Sequence, residues 1–207
     1  MPLVYRSELP NGLIALWKID ESETELALLC TPRERIYASE RLTAGNRRKE
    51  WLAWHALLHE TAPQAETDYD PDRAPVLKSG GYIGVSHTKG YAAVIIAETP
   101  CAVDIELRNR NFLKAAPKYL SPDERQRFGT EGDLPGKIWC AKETLYKWAR
   151  LPETDFLRDI RIDGVDPARG TLQGSIRGYE ITLYDCPDET LFMIYCFGDR
   201  SPGKRNG

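Results

Sequence analysis

The clearest strands in the sequence are apolar segments near the middle of the chain. Gly90 to Ala97 contains the run Tyr-Ala-Ala-Val-Ile-Ile-Ala, and a run that is apolar throughout is typical of a strand buried on both faces. Cys101 to Leu107 alternates instead, with Val103 and Ile105 on one face and acidic residues on the other. Together with Tyr82 to His87, these segments make a group of predicted strands in the centre of the chain.

Helical periodicity is strongest between Lys137 and Arg150. At about 100° per residue, the apolar residues of this segment fall on one stripe, as in a helix with one face in a core: Ile138, Ala141, Leu145 and Trp148. A second helical region is predicted from Ser39 to Glu60, and Ser121 followed by Pro122 predicts the start of another helix. Leu26 to Cys30 fits either a strand or a short helix.

Both halves of the chain carry the same pair of features. An aromatic-rich helix, near Trp51 and again near Trp139, is followed in each half by an apolar strand. We therefore expect an α+β fold made of two similar halves, residues 1–100 and 101–199. The polar end, residues 200–207, is expected to be a flexible tail.

The composition is that of an ordinary globular protein, with 42% of the 207 residues hydrophobic and 29% charged. A net charge of −3 argues against a general nucleic-acid-binding protein, which is usually basic. No apolar run approaches the roughly 20 residues that span a bilayer, and the first residues lack a signal-peptide pattern. A cytoplasmic protein without membrane contact is therefore expected. The five cysteines are scattered without a C-x-x-C pair, which argues against disulfides and structural zinc.

Two pairs of charged residues suggest phosphate and metal chemistry. Asp104 and Glu106 lie two apart in a predicted strand, so their carboxylates face the same way, about 6.5–7 Å apart along the backbone. They can share a hard cation, although a solvated edge strand shows the same pattern. Glu143 and Lys147 lie four apart on a helix, and they form either a surface ion pair or a carboxylate ligand or base beside a phosphate-binding ammonium. Magnesium suits such an all-oxygen ligand set.

Histidines occur at two further places of interest. Ser86 and His87 end a predicted strand and are followed by Thr-Lys-Gly, a turn whose hydroxyl, imidazole and ammonium suit a phosphate. A purely structural histidine would also fit there. His55 and His59 lie four apart on a helix, but without an H-E-x-x-H motif they do not indicate a zinc site.

Three segments carry distinctive motifs in a fixed order: Gly84 to Thr88 (Gly-Val-Ser-His-Thr), Ala102 to Glu106 (Ala-Val-Asp-Ile-Glu) and Trp139 to Lys147 (Trp-Cys-Ala-Lys-Glu-Thr-Leu-Tyr-Lys). Their order and spacing resemble the S-H, G-[IV]-D-[IV]-E and W-x-x-K-E-[AS]-x-x-K signatures of the 4′-phosphopantetheinyl transferase superfamily. The resemblance covers about residues 40–150. The length is similar to that of the larger subfamily, so the resemblance implies a monomer built as an intramolecular pseudo-dimer of two α+β halves.

This resemblance implies a Mg2+-dependent enzyme that transfers the 4′-phosphopantetheine moiety of coenzyme A to a serine of an apo acyl or peptidyl carrier protein. The other product would be 3′,5′-ADP. Asp104, Glu106 and Glu143 would hold the metal, which would bridge the coenzyme A pyrophosphate. Glu143 would also act as the base, and Lys147 would stabilise charge on the phosphate.

The resemblance also implies contacts to the phosphates of coenzyme A, from Ser86, His87 and Lys142. The helix that carries Arg47 resembles the family's adenosine 3′-phosphate site. Arg47 and His55 are therefore expected to bind coenzyme A here. The chain departs from the family at this site, because His55 stands where arginine is usual and Ala74 stands where a basic residue is favoured. A neutral histidine has one donor and no fixed charge, whereas arginine offers a permanent planar fork.

A basic ridge follows the predicted metal ligands, made of Arg108, Arg110, Lys114 and Lys118. Carrier proteins present an acidic helix beside their serine, so this ridge would dock the carrier, although a solvated basic face explains it equally well. The alternative function is a non-catalytic member of the same fold that binds coenzyme A or a carrier protein. Another kind of magnesium-dependent phosphotransferase would need a phosphate cradle, and the chain has no G-x-x-x-x-G-K-[ST] motif.

Overall fold

The computed structural model describes residues 2–200 and separates the chain into two units at the bond between Glu98 and Thr99. Each unit has its own antiparallel sheet and its own hydrophobic core. The predicted α+β class is confirmed, while the pseudo-dimeric relation between the halves stays a prediction. The predicted tail lies, from residue 201 onward, outside the described residues.

The first unit combines a four-stranded sheet, a two-stranded ribbon and three helices. Its elements are β1 (Leu3–Leu9), β2 (Gly12–Lys18), α1 (Glu23–Leu28), α2 (Pro32–Arg41), α3 (Gly45–Thr61), β3 (Thr67–Tyr69), β4 (Pro75–Leu77), β5 (Tyr82–Thr88) and β6 (Tyr91–Ala97). The sheet has the order β1-β2-β6-β5, and β3 pairs with β4 in the ribbon. The interior strand β6 is buried along most of its length, as its continuous apolar run predicts.

The first two helices begin with reciprocal side-chain caps. Ser22 accepts a hydrogen bond from the backbone N–H of Glu25 at 3.2 Å, and the Glu25 carboxylate accepts from the Ser22 N–H at 2.8 Å. Thr31 and Glu34 form the same capping box at the start of α2. The first cap explains why the segment after it, which fitted either a strand or a helix, is helical.

The helical region predicted from Ser39 to Glu60 is interrupted at Leu42, which takes an extended conformation between α2 and α3. Arg48 supports the break by donating hydrogen bonds to the carbonyl oxygens of Leu42 at 2.9 Å and Thr43 at 3.0 Å. Its Nε also contacts the Glu23 carboxylate at 2.8 Å. The guanidinium thus satisfies carbonyl groups that a continuous helix would have bonded internally.

The second unit packs a long helix on a five-stranded antiparallel sheet of order β7-β11-β10-β9-β8. Its elements are β7 (Cys101–Leu107), α4 (Phe112–Ala115), a short 3-10 turn (Ala116–Lys118), α5 (Pro122–Phe128), α6 (Leu134–Ala149), β8 (Ile160–Asp166), β9 (Thr171–Ile176), β10 (Tyr179–Cys186) and β11 (Leu191–Phe197). The long helix α6 contacts both β7 and β11.

The apolar stripe predicted on α6 is confirmed. Ile138, Ala141 and Leu145 are fully buried, and Trp148 is 1% exposed. The predicted serine cap of α5 is confirmed as well, because Ser121 accepts a hydrogen bond from the Glu124 N–H at 3.2 Å. The core face of α6 therefore follows from periodicity, and the start of α5 follows from its local capping sequence.

The structure allows two predictions from the sequence to be examined, one on the cysteines and one on membrane-spanning segments. All five cysteines are buried free thiols, and burial raises the pKa of Cys30 to about 12. Within residues 2–200, no helix has both the length and the apolar character needed to cross a membrane.

The packing of α6 on the sheet depends on Gly136. A Cβ at this position would lie 2.2 Å from Cε2 of Phe192. We expect Gly136→Ala to lower the free energy of unfolding by about 1–3 kcal/mol, because overpacking outweighs the roughly 1 kcal/mol that alanine gains over glycine in a helix. Urea unfolding followed by tryptophan fluorescence measures the change.

Gly164→Ala is the matched control, because a Cβ at Gly164 would meet nothing within 4 Å. Its effect should stay within about 0.5 kcal/mol. A Gly136→Ala protein as stable as the parent would contradict the close contact with Phe192.

Candidate active site

Asp104 on β7 and Lys147 on α6 form an ion pair that joins the strand to the helix. Lys147 Nζ donates to Asp104 Oδ1 at 2.6 Å and to the carbonyl oxygen of Val103 at 3.3 Å. Asp104 is only 5% exposed. The sequence spacing suggested that Lys147 pairs with Glu143 on the same helix, and the structure also joins Lys147 to the strand.

Glu106, two residues along β7, is held by a tryptophan and an arginine. Its Oε1 accepts a hydrogen bond from the Trp139 indole Nε1 at 2.9 Å and another from the Arg110 guanidinium. The Arg110 guanidinium also lies over the Trp139 ring, 5.2 Å from its centroid. The direction of the Glu106 carboxylate is therefore set by two donors that themselves contact one another.

Glu143 on α6 lies within the electrostatic influence of both β7 carboxylates. Burial raises the pKa of Glu143 to about 7, and the negative charges of Asp104 and Glu106 add to this effect. The nearby positive charges of Lys147 and Arg110 oppose it. The structure therefore brings together Asp104, Glu106, Glu143 and Lys147, as the sequence motifs predicted.

The carboxylate donors fit a hard cation by their chemistry but not by their present positions. Mg2+ prefers oxygen ligands, and Asp104, Glu106 and Glu143 supply carboxylates only. Within the described residues, however, no group of three His, Cys, Asp or Glu side chains converges closely enough to hold a metal ion. Lys147 and Arg110 neutralise two of the carboxylates instead.

Lys142 is the clearest correction to the predicted site. Its side chain is fully buried, and its ammonium Nζ lies 2.8 Å from Glu124 Oε2 and 2.7 Å from the Tyr119 carbonyl oxygen. The carbonyl oxygens of Phe156 and Ile160 lie 3.0 and 2.8 Å away. All donors of the ammonium are engaged inside the second unit, so the predicted contact with a coenzyme A phosphate is wrong.

The Lys142 ammonium instead supports an aromatic cluster beside Glu106. Phe156, whose carbonyl binds Lys142, stacks on Trp139 with ring centroids 5.8 Å apart. Tyr119, whose carbonyl also binds Lys142, meets the same indole edge-on at 5.0 Å. The sequence motifs contain Trp139, but the roles of Trp139, Tyr119 and Phe156 were missed because they depend on contacts between distant segments.

In the first unit, Arg47 and His87 line one cavity of about 220 Å3, together with Trp51, Trp54 and Tyr69. His87 Nδ1 lies 3.2 Å from Glu50 Oε2. Two predicted phosphate contacts therefore come together in this unit.

Ser86 does not line the Arg47–His87 cavity. It is 5% exposed and precedes His87 in β5, so its side chain points to the opposite face of the strand. The adjacent residues Ser86 and His87 therefore do not act as a pair on one face.

His55 is also corrected by the structure. It is 1% exposed, and its ring lies against Trp51 and Trp54, with centroid distances of 3.6 and 3.4 Å. Burial lowers the pKa of His55 to about 4. A neutral, enclosed imidazole does not replace the positive charge of arginine toward a 3′-phosphate.

Next to His55, a histidine–glutamate pair joins α3 to α2. His59 Nε2 lies 2.8 Å from Glu34 Oε2, and this hydrogen bond raises the pKa of His59. Burial alone would raise the pKa of Glu34, but hydrogen bonds from His59 and Thr31 lower it to about 2. Glu34 is therefore ionised across the physiological range.

The predicted basic ridge is partly engaged in internal contacts. Arg108 pairs with Asp133 and lies over the Phe192 ring, 4.4 Å from its centroid, while Arg110 pairs with Glu106. Lys114 and Lys118 are exposed. The ridge therefore consists of two exposed lysines and two arginines whose guanidinium groups already make contacts within the second unit.

Comparison with known protein families gives one match, in the second unit. Residues 100–185 match the model of the 4′-phosphopantetheinyl transferase superfamily, a segment that contains β7, α6 and the carboxylates between them. The resemblance expected from the motifs is thereby confirmed over this segment. Proteins of this superfamily transfer phosphopantetheine from coenzyme A to carrier proteins, so the match supports a general transfer function. No curated protein matches the chain significantly.

The buried Lys142–Glu124 ion pair should carry much of the stability of the second unit. Both side chains are fully buried, so we expect Glu124→Gln to lower the free energy of unfolding by about 3–5 kcal/mol, since it leaves the ammonium without its counter-charge. Chemical denaturation measures the loss.

Asp123→Asn is the matched control for that variant, because Asp123 is the neighbouring residue and makes only an exposed pair with Arg127, at 3.5 Å. Its cost should be below about 1 kcal/mol. Similar losses of unfolding free energy in the two variants would show that the buried Lys142–Glu124 pair stabilises the unit no more than an exposed pair does.

The His59–Glu34 pair should make the stability of the first unit depend on pH. A raised histidine pKa means that the charged pair stabilises the fold below the ordinary histidine pKa, and that this contribution is lost as pH rises through the raised value. We expect His59→Gln to reduce stability more at about pH 6 than at about pH 9, by roughly 1 kcal/mol. Thermal unfolding at both pH values tests this, and an equal loss at both would refute it.

Proposed function

We propose that this chain is a 4′-phosphopantetheinyl transferase of the holo-[acyl-carrier-protein] synthase type, dependent on Mg2+. It transfers the 4′-phosphopantetheine moiety of coenzyme A to a serine of an apo acyl or peptidyl carrier protein and releases 3′,5′-ADP. The observation that carries the proposal is the placement of Asp104, Glu106 and Glu143 beside the Lys147 ammonium, which lies 2.6 Å from Asp104 Oδ1. The superfamily match covers the same residues.

In this proposal Asp104, Glu106 and Glu143 hold the Mg2+ ion. Their mutual repulsion is the feature that a divalent cation relieves, which supports the assignment. Lys147 and Arg110, which pair with Asp104 and Glu106 in the structure, would then leave these carboxylates. When bound, the metal supplies positive charge to the pyrophosphate of coenzyme A.

The proton and phosphate chemistry falls to Glu143 and Lys147. Glu143 accepts the proton of the carrier serine hydroxyl, directly or through a water. The serine oxygen then bonds to the phosphorus that bears the pantetheine arm, and the bond from that phosphorus to 3′,5′-ADP breaks. The Lys147 ammonium stabilises negative charge on the transferred phosphate.

Coenzyme A and the carrier protein would use further surfaces. Arg47 and His87, which share a cavity in the first unit, are proposed to contact phosphates of coenzyme A. The exposed Lys114 and Lys118 are proposed to meet the acidic helix of the carrier, an attraction that would mainly speed encounter. We also propose that the protein is a monomer and that it acts in the cytoplasm.

A second candidate is a protein of the same fold that binds coenzyme A or a carrier without transfer. Two observations favour it: the described carboxylates do not converge on a metal position, and His55 presents no positive charge where the family usually has arginine. The complete set of Asp104, Glu106, Glu143 and Lys147 favours the enzyme.

Intact-mass spectrometry of an apo acyl carrier protein, incubated with this chain, coenzyme A and Mg2+, separates the two candidates. We expect the carrier to gain the mass of one phosphopantetheine arm, and EDTA to prevent the gain. Asp104→Asn and Glu143→Gln should each slow transfer by at least about 100-fold, since each removes a ligand or the base.

Glu180→Gln is the control, because Glu180 is exposed on β10. It should transfer at the parental rate. Binding of coenzyme A without any mass gain on acyl or peptidyl carriers would favour the non-catalytic candidate. Near-parental transfer by both site variants would disprove the metal assignment.

A further inference from the structure

A second cavity of the first unit has no part in the proposed transfer. It has a volume of about 300 Å3 and lies between residues of α2, α3 and the β3–β4 ribbon. Tyr37, Trp51 and Tyr69 form an aromatic wall, and Glu34, His55 and His59 are among the polar residues that line the cavity. A volume at the lower end of the range for ligand pockets suits a small molecule rather than a peptide.

The hydrogen-bonding state of His55 follows from its partners. His55 Nδ1 lies 2.9 Å from the Trp51 carbonyl oxygen, which can only accept, so Nδ1 carries the proton. With a pKa of about 4 the ring is neutral at physiological pH, which leaves Nε2 as an acceptor. Nε2 therefore presents a lone pair and no proton.

A carboxylate oxygen lies near this nitrogen. His55 Nε2 lies 4.0 Å from Glu34 Oε1, and both atoms are acceptors. The other Glu34 oxygen, Oε2, already accepts from His59 at 2.8 Å and from the Thr31 N–H at 2.8 Å. Glu34 Oε1 and His55 Nε2 are thus two acceptors at one place, which a group with two N–H donors would satisfy together.

The charged residues at the rest of the cavity are paired with one another. Arg33 lies 3.7 Å from Asp68, and Lys78 lies 3.0 Å from Glu66. The walls consist of rings: Tyr37 stacks on Trp51 and on Tyr69, at centroid distances of 5.1 and 5.8 Å. The cavity therefore combines flat apolar walls with two adjacent acceptors.

We propose that this cavity binds a small planar aromatic ligand that carries an amino or amidino group, with its N–H donors directed at Glu34 Oε1 and His55 Nε2. The ring lies against the aromatic wall, and the donor group replaces the acceptor–acceptor contact with two hydrogen bonds. An anionic ligand of the same shape is rejected, because its oxygens would face two acceptors.

Benzamidine and benzoate are the probes, since they share a ring and differ in whether the planar end group donates or accepts. In NMR titrations of the 15N-labelled full chain, the Trp51 indole N–H signal reports on the wall. We expect a saturable shift with benzamidine, half-complete at about 1 mM, and no saturable shift with benzoate. This comparison uses the parent protein and does not depend on the folding of any variant.

Glu34→Gln should weaken benzamidine binding by at least about five-fold, because an amide retains the helix cap but removes the carboxylate. Glu25→Gln makes the same substitution in the capping box of α1, which does not line the cavity, and should leave binding unchanged. Equal shifts with benzoate, an unchanged affinity in Glu34→Gln, or no response to benzamidine up to about 10 mM would overturn the proposal.

Discussion

The second unit depends on one buried ion pair, between the ammonium of Lys142 and the carboxylate of Glu124. An ammonium without compensation in a protein interior costs several kcal/mol, so the surrounding chain must supply oxygens at fixed positions. Here they come from Glu124 in α5 and from the carbonyls of Tyr119, Phe156 and Ile160. Glu124 also accepts from the backbone N–H of Ile162 at 2.9 Å, which extends the network to β8. Segments without a long helix or strand of their own are thereby fixed around α6.

The hydrogen-bond network around Lys142 also positions side chains of the candidate site. Tyr119 and Phe156 present their carbonyls to Lys142 and their rings to Trp139, and Trp139 donates its indole N–H to Glu106. A structural lysine and a carboxylate of the site are thus linked through one aromatic cluster. The carboxylates in turn repel each other, and the positive charges of Lys147 and Arg110 offset this repulsion. The side chains of this site are therefore positioned by ion pairs to the carboxylates and by the packing of aromatic rings around Trp139.

Local sequence predicted those features of the fold that depend on neighbouring residues. The α6 stripe, the cap at Ser121 and the strand with Asp104 and Glu106 all follow from periodicity or from a cap. The helix break at Leu42 did not, because it depends on Arg48, whose guanidinium reaches back to carbonyls of the preceding segment. Tertiary contacts override local propensity at such points.

The same distinction separates correct from incorrect site predictions. The motifs predicted that Asp104, Glu106 and Glu143 lie near one another, and the structure agrees, while their role as metal ligands stays a prediction. A motif does not show burial, and for this reason the prediction failed at Lys142 and His55. Both residue types bind phosphates when exposed, but here desolvation lowers their pKa and internal acceptors hold their protons.

The indole of Trp51 and the phenol of Tyr69 are joined by a 2.6 Å hydrogen bond, and both rings line both cavities of the first unit. They act as a partition between two compartments. A guest that displaces the partition from one side changes the space on the other, and thermodynamic linkage requires the effect to be equal in both directions. A guest in one cavity would therefore change the affinity of a guest in the other to the extent that it moves the Trp51 or Tyr69 ring.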